Sequence, residues 1–179
     1  MCKCNKYRDD KLHHECGVLG IYGVDDAAGL AYYGLHALQH RGQQGCGIVT
    51  VGPTGEFHRV KGDGLVNEVF NEQKITKLPG RMAIGHVRYS NAGCKGTENI
   101  QPFLFHHNSG DFAMANNGQI VNYSQLREEL EDKGSLFQSS SDAEVLAHLI
   151  KKQGVDRDLP RIHALKDALN MLDGAFAFL

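Results

Sequence analysis

Residues 13–22 read HHECGVLGIY, a cysteine and a glycine at the head of an apolar run, directly behind a polar preface. That preface, MCKCNKYRDDKLHHE over residues 1–15, holds only Tyr7 and Leu12 as large apolar side chains after the initiator. It is not composed like a first structural element. The next segment is: CGVLGIYG, closed by Gly23, predicts a short buried strand. As an internal residue Cys16 would be an inert core thiol, the usual fate of a buried cysteine. If residues 1–15 are a propeptide and are removed, Cys16 gains an α-amino group with an intrinsic pKa of about 8. That amine can act as the base for its own side chain, and the thiolate is a nucleophile for amides.

The rest of the composition narrows the class. The chain has 179 residues, 41% hydrophobic and 22% charged, enough to bury a substantial core as one domain. A formal net charge of −2 gives no electrostatic case for nucleic acid or an anionic membrane as partner. No apolar run reaches the roughly 18 residues of a bilayer span, and residues 1–15 lack the basic and apolar regions of a secretory signal. Five cysteines, an odd number, argue against a disulfide framework and for a reducing compartment, so the expected location is cytoplasmic. Cys2-Lys3-Cys4 with His13-His14 invites a metal reading, but the second cysteine pair of a structural zinc site is missing, and no metal ligand is assigned here.

Along the chain, residues 27–40 put Leu30, Ala31, Gly34, Leu35 and Leu38 at helical spacing. A glycine-rich turn, RGQQGCG over 41–47, leads to strands at 48–51 and 56–60 joined by Pro53-Thr54-Gly55, a hairpin. Residues 81–89 read as a strand covered on both faces, and 102–105 and 111–115 as two more. Asn122…Gln125 and Ser141…Glu144 have the spacing of capping boxes. A last helix is expected from Pro160, with Ile162, Leu165, Leu169 and Leu172 inside. The terminal GAFAFL reads as an unpaired apolar strand, which leads us to expect a fragment of a longer protein. Strand blocks alternating with helices give an α+β class.

Four further positions carry chemistry. Asn117-Gly118 is a strong hairpin signal. The same pair also offers an amide N–H₂ and a glycine N–H, the two donors of an oxyanion hole. Arg88 ends an apolar strand, where an arginine is ordinarily solvated; a guanidinium is also the best clamp for a carboxylate. His86 reads as a hydrogen-bonded core histidine. Asp142 is expected in a first helical turn, where the helix dipole favours a carboxylate and where it could receive an ammonium group. Clamps for carboxylate and ammonium, with a thiol between, describe a glutamine pocket.

These motifs, with HRGQ at 40–43, GLVNEVF at 64–70 and NIQPF at 99–103, resemble the glutaminase domain of the glutamine phosphoribosylpyrophosphate amidotransferases. The likeness runs from about Glu15 to Leu179. It implies a four-layer α-β-β-α sandwich of two antiparallel sheets, the N-terminal-nucleophile hydrolase fold, over residues 16–179, with residues 1–15 as the propeptide. It implies Cys16 as nucleophile, Asn117 and Gly118 as oxyanion hole, Arg88 on the substrate carboxylate and Asp142 on its ammonium. Arg41 is implied to shape the pocket behind Cys16, and Asn91 to border the substrate clamp. The family commonly has Thr at the position of Asn91 and His at that of Asn116. Ammonia from glutamine would pass to a phosphoribosyltransferase domain absent from this chain and displace pyrophosphate, giving 5-phosphoribosylamine for purine synthesis. Magnesium, and in some relatives an iron–sulfur cluster, belong to that absent domain; no cofactor is expected in residues 16–179. A homotetramer is the implied assembly of the full-length protein. Two rival readings are the glutaminase domain of a sugar-phosphate amidotransferase and a non-catalytic regulatory module in which Cys16 stays masked.

Overall fold

The computed structural model describes residues 16–89, 97–107, 110–156 and 160–179. Residues 1–15, and with them the cysteine and histidine pairs of the preface, lie outside that set, as do Asn91 and Cys94. The fold is α+β with antiparallel pairing, as expected, and it divides into two compact units.

The first unit is built on a four-stranded sheet ordered β1-β4-β2-β3. Its strands are β1 (Gly17–Tyr22), β2 (Gly45–Val51), β3 (Phe57–Asp63) and β4 (Met82–Arg88). The β2–β3 hairpin forms where the Pro53-Thr54-Gly55 turn requires it, with Ile48 opposite Val60. β4 lies between β1 and β2, so Gly17 faces Val87 on one side and Cys46 faces Val87 on the other. One face of this sheet takes helix α1 (Ala27–Ala37), whose Ala27, Ala28, Ala31 and Leu35 are buried with Cys46, Ile48, Ala83 and Val87. Small residues let helix and sheet close up. A Cβ on Gly85 would stand 3.0 Å from Leu35, and one on Gly34 would stand 2.3 Å from Leu19. The short helices α2 (Val66–Val69) and α3 (Glu72–Ile75), which no sequence pattern announced, close one end with Val66, Val69 and Phe70. Leu30, expected in the apolar face of α1, is 45% exposed.

Side chains alternate across a strand. Since Ala83, Gly85 and Val87 meet α1, Ile84, His86 and Arg88 point to the other face of the sheet. The same unit carries a ladder of β5 (Phe103–Phe105) against β6 (Phe112–Met114), the two strands expected there.

β7 (Asn116–Ile120) is a strand where the Asn117-Gly118 signal predicts a turn; it pairs with β8 (Gly174–Phe178). Asn117-Gly118 is therefore not a hairpin, and the terminal segment is not unpaired. Ala115 and Leu179 add two backbone hydrogen bonds of 3.0 and 2.9 Å. The division between the units falls between Asn117 and Gly118.

The second unit holds helices α4 (Tyr123–Asp132), α5 (Glu144–Asp156) and α6 (Arg161–Leu169). Neither expected capping box forms. Asn122 instead uses its side chain on the far end of the unit, donating to Met171 O at 2.9 Å and accepting from Asp173 N at 3.0 Å. α5 starts at Glu144, so Asp142 precedes the helix rather than lying in its first turn. On α6 the buried residues are Ala164 and Ala168, Leu172 is buried just beyond its end, and Ile162, expected inside, is 67% exposed.

Candidate active site

Cys16 enters the structure one step before β1. Extending the Gly17–Val87 pair by that step puts Cys16 opposite Arg88 on the sheet face away from α1. The thiol is held where β4 ends: the Tyr89 N–H donates to Cys16 Sγ at 3.3 Å, and Sγ approaches Tyr89 O at 3.5 Å. Arg41 Nε donates to the Cys16 carbonyl at 3.2 Å. Arg41 belongs to a 3-10 turn, Gln39–Arg41, that comes after α1. Gln39 fixes that turn from both ends of its amide, donating to Gly42 O and accepting from Val66 N at 2.7 Å.

The HRGQ motif has a steric reason here. A Cβ on Gly42 would sit 2.6 Å from the Arg88 carbonyl carbon, so only glycine lets this turn lie against β4. Gln44 N then donates to Arg88 O at 3.1 Å. Arg88 is only 8% exposed, which overturns the solvated reading of a strand-end arginine. A buried guanidinium on the residue before Tyr89, whose backbone holds the thiol, is of the type that pairs with a carboxylate.

His86, two residues back on the same face, is fully buried. Burial pushes its pKa down to about 3; the Asn116 backbone opposes this, and the nearby Arg88 charge adds to it. Its ring is thus neutral, and neither nitrogen has a well-formed hydrogen bond among the described residues, a correction to the expected hydrogen-bonded core histidine. Cys46, by contrast, is an inert core thiol: burial pushes it up to about 12, Glu68 reinforcing and Lys74 opposing.

Asn116 and Asn117 end the first unit. Asn116 N donates to the buried Gln101 Oε1 at 2.6 Å, and Lys61 Nζ holds the preceding Ile100 O at 2.9 Å. This is what the NIQPF segment does: it ties the strand leading into Asn117 to β3. The motif is visible in the sequence, but this use of it is not. Asn116 Oδ1 is buried without a partner among the described residues. Asn117 Oδ1 is likewise buried and unpartnered there.

In the second unit Gly118 adopts φ +126, and a Cβ on it would lie 2.1 Å from Ala175 O. Glycine is required by both the dihedral and the β8 backbone. Asp142 Oδ2 accepts from Ile120 N at 2.8 Å, and burial raises its carboxyl pKa against these backbone bonds. Among the described residues no three His, Cys, Asp or Glu side chains gather as a metal-binding set. Of the expected residues, Cys16, Arg41 and Arg88 are brought together in the first unit, with Tyr89 as a contact that no sequence signal announced.

A family model described as a glutamine amidotransferase domain matches residues 86–179. The amidophosphoribosyltransferase of Lacticaseibacillus casei is 50% identical over 168 residues, covering 93% of this chain and 84% of that sequence. This chain belongs to the glutamine amidotransferase domain family. Its amidotransferase relatives include the amidophosphoribosyltransferase of Bacillus subtilis, 52% identical over 170 residues, of which this chain spans 35%. A solved structure of the glutamine phosphoribosylpyrophosphate amidotransferase from B. subtilis, complexed with ADP and GMP, superposes with a TM-score of 0.83 at 49% identity, covering 90% of this chain and 34% of that one. A second, of the allosteric regulatory enzyme of purine biosynthesis, gives 0.85 at 50% identity, covering 90% and 34%. The α+β sandwich expected of N-terminal-nucleophile amidotransferases is the fold shared with these structures. This amidotransferase chain spans about a third of the length of the B. subtilis relative.

Proposed function

We propose that this chain is the glutaminase half of an amidophosphoribosyltransferase. The observation that carries the reading is the Cys16 thiol held by the Tyr89 N–H at 3.3 Å, directly after the buried Arg88, with Arg41 holding the Cys16 carbonyl at 3.2 Å. Removal of residues 1–15 frees the α-amine of Cys16, which takes the thiol proton. The thiolate attacks the side-chain amide carbon of glutamine; the tetrahedral oxyanion is met by the Asn117 amide and the Gly118 N–H. Collapse expels ammonia with the proton returned by the α-amine, and water then releases glutamate from the thioester. Arg88 grips the substrate carboxylate, Asp142 its ammonium, and Asn91 borders that grip.

Ammonia passes to a phosphoribosyltransferase domain of the longer protein and displaces pyrophosphate from phosphoribosyl pyrophosphate, giving 5-phosphoribosylamine. The relatives' names support this over a sugar-phosphate acceptor. Magnesium and any iron–sulfur cluster are assigned to that other domain, the full-length assembly to a homotetramer and the location to the cytoplasm. No described helix is long and apolar enough to cross a membrane.

The test is glutamate release from glutamine by chain starting at Cys16, compared with chain that keeps residues 1–15 through an uncleavable junction. Release is expected only from the first, and Cys16→Ala should abolish it. Equal release by both forms would overturn the reading.

A further inference from the structure

Glu144 has the sequence position of half a capping box, and its carboxylate does something else. It is only 1% exposed, yet it reaches back over the loop before α5 instead of to Ser141. Oε1 accepts from Gln138 N at 2.8 Å, and Oε2 accepts from both the Ser139 N–H, at 2.8 Å, and the Ser139 hydroxyl. His148 Nε2, one turn along α5, stands 3.6 Å from Oε1. A buried carboxylate with this many donors is ionised: burial alone would raise it, but His148, Gln138 and Ser139 together hold it down to about 2.

The effect is relayed by Ser139. Its hydroxyl hydrogen is committed to Glu144, which turns an oxygen lone pair towards Ser141 N, 3.3 Å away. Ser141 Oγ in turn accepts from Ala143 N at 3.3 Å. The backbone on both sides of Asp142 is thereby fixed, while its carboxylate takes Ile120 N. Arg127 secures the same loop from α4, donating to Ser139 O at 2.9 Å and lying over the Phe137 ring.

We infer that Glu144 is a positioning residue for substrate binding: through Ser139 and Ser141 it sets Asp142 for the α-ammonium of glutamine. This rests on the proposed role of Asp142. Glu144 itself is too buried to meet substrate. A group that only places a ground-state contact changes KM and leaves the chemical step alone.

The experiment compares glutamine with glutaramate, the same amide and carboxylate without the α-amine, in chain beginning at Cys16. Glu144→Gln should raise KM for glutamine about tenfold with kcat within about threefold, and leave glutaramate turnover unchanged. Introduced into Asp142→Asn, it should add less than about a twofold further loss, because both act on one contact. Ser139→Ala keeps the two backbone bonds to Glu144 and should give the same pattern more weakly, which guards against a misfolded Gln variant. Equal losses for both amides, or an unchanged glutamine KM in a folded variant, would overturn the inference. If the unsubstituted chain releases no glutamate, the functional reading fails at that control and this inference fails with it.

Discussion

Arg41 Nε donates to the carbonyl oxygen of Cys16 at 3.2 Å, across 25 residues of sequence. That bond orients the residue carrying both nucleophile and proposed base, so the guanidinium acts on thiol and amine together without touching either. Arg41→Ala should lower kcat/KM for glutamine about a hundredfold. Arg41→Lys, which keeps the charge but loses the planar donor fork, should recover only part of it. Steady-state glutamate release decides this; an Arg41→Ala chain as active as the parent would show that the contact is incidental.

Gly42 tests the same turn sterically. An added Cβ meets the Arg88 carbonyl carbon at 2.6 Å and its oxygen at 2.7 Å, backbone atoms that cannot rotate away. Gly42→Ala should therefore cost about 2 kcal/mol of stability by overpacking and raise KM for glutamine as Arg88 is pushed off its position. Thermal unfolding and kinetics on one preparation measure both. A stable variant with an unchanged KM would contradict the close approach.

These two positions mark the limit of what sequence alone discloses. Local patterns are legible: the β2–β3 hairpin comes from its Pro-Thr-Gly turn, and α1 from its apolar spacing. Where a residue's partner is distant, local rules mislead. Asn117-Gly118 has the sequence of a turn but lies in β7, because β8, more than fifty residues on, supplies a strand for it to pair with. Asn122 begins a capping-box spacing, yet its side chain is spent on Met171 and Asp173, about fifty residues on; Glu144 ends another, and its carboxylate turns back to Gln138 and Ser139 in the preceding loop. On α6 the alanines at 164 and 168 are buried and Ile162 is not, a choice that helical periodicity leaves open. Cys16 and Arg88 are recognisable as types; Tyr89, Gln39 and Gln101 matter through backbone contacts that no motif spells out.

His86 sets an acid limit. Its folded pKa of about 3 lies below the ordinary 6.5, because burial beside Arg88 disfavours the cation. Below pH 6.5 the unfolded chain binds a proton that the folded chain refuses. The stability this group contributes is therefore complete above pH 6.5 and is lost as pH falls towards 3. By pH 5 the loss amounts to about 2 kcal/mol. Urea titrations at pH 7 and pH 5 should show a smaller decrease for His86→Gln than for the parent, whatever the absolute stability of the variant. Identical decreases would mean that the folded ring protonates normally.

The two described cysteines should separate cleanly in reactivity. Cys46 is fully buried in the α1-facing core with its pKa pushed up to about 12, so almost no thiolate exists at pH 8 and no reagent reaches it. Cys16 is half-buried, with its sulfur at the end of β4. Brief treatment with iodoacetamide at pH 8 should label Cys16 in the folded chain, abolish glutamate release and be slowed by glutamine, leaving Cys46 unmodified. Cys46→Ala should lower stability by about 1 kcal/mol for the lost core volume and keep the activity. Peptide mapping by mass spectrometry reads the labels directly. Early modification of Cys46, or full activity after Cys16 is alkylated, would move the nucleophile elsewhere.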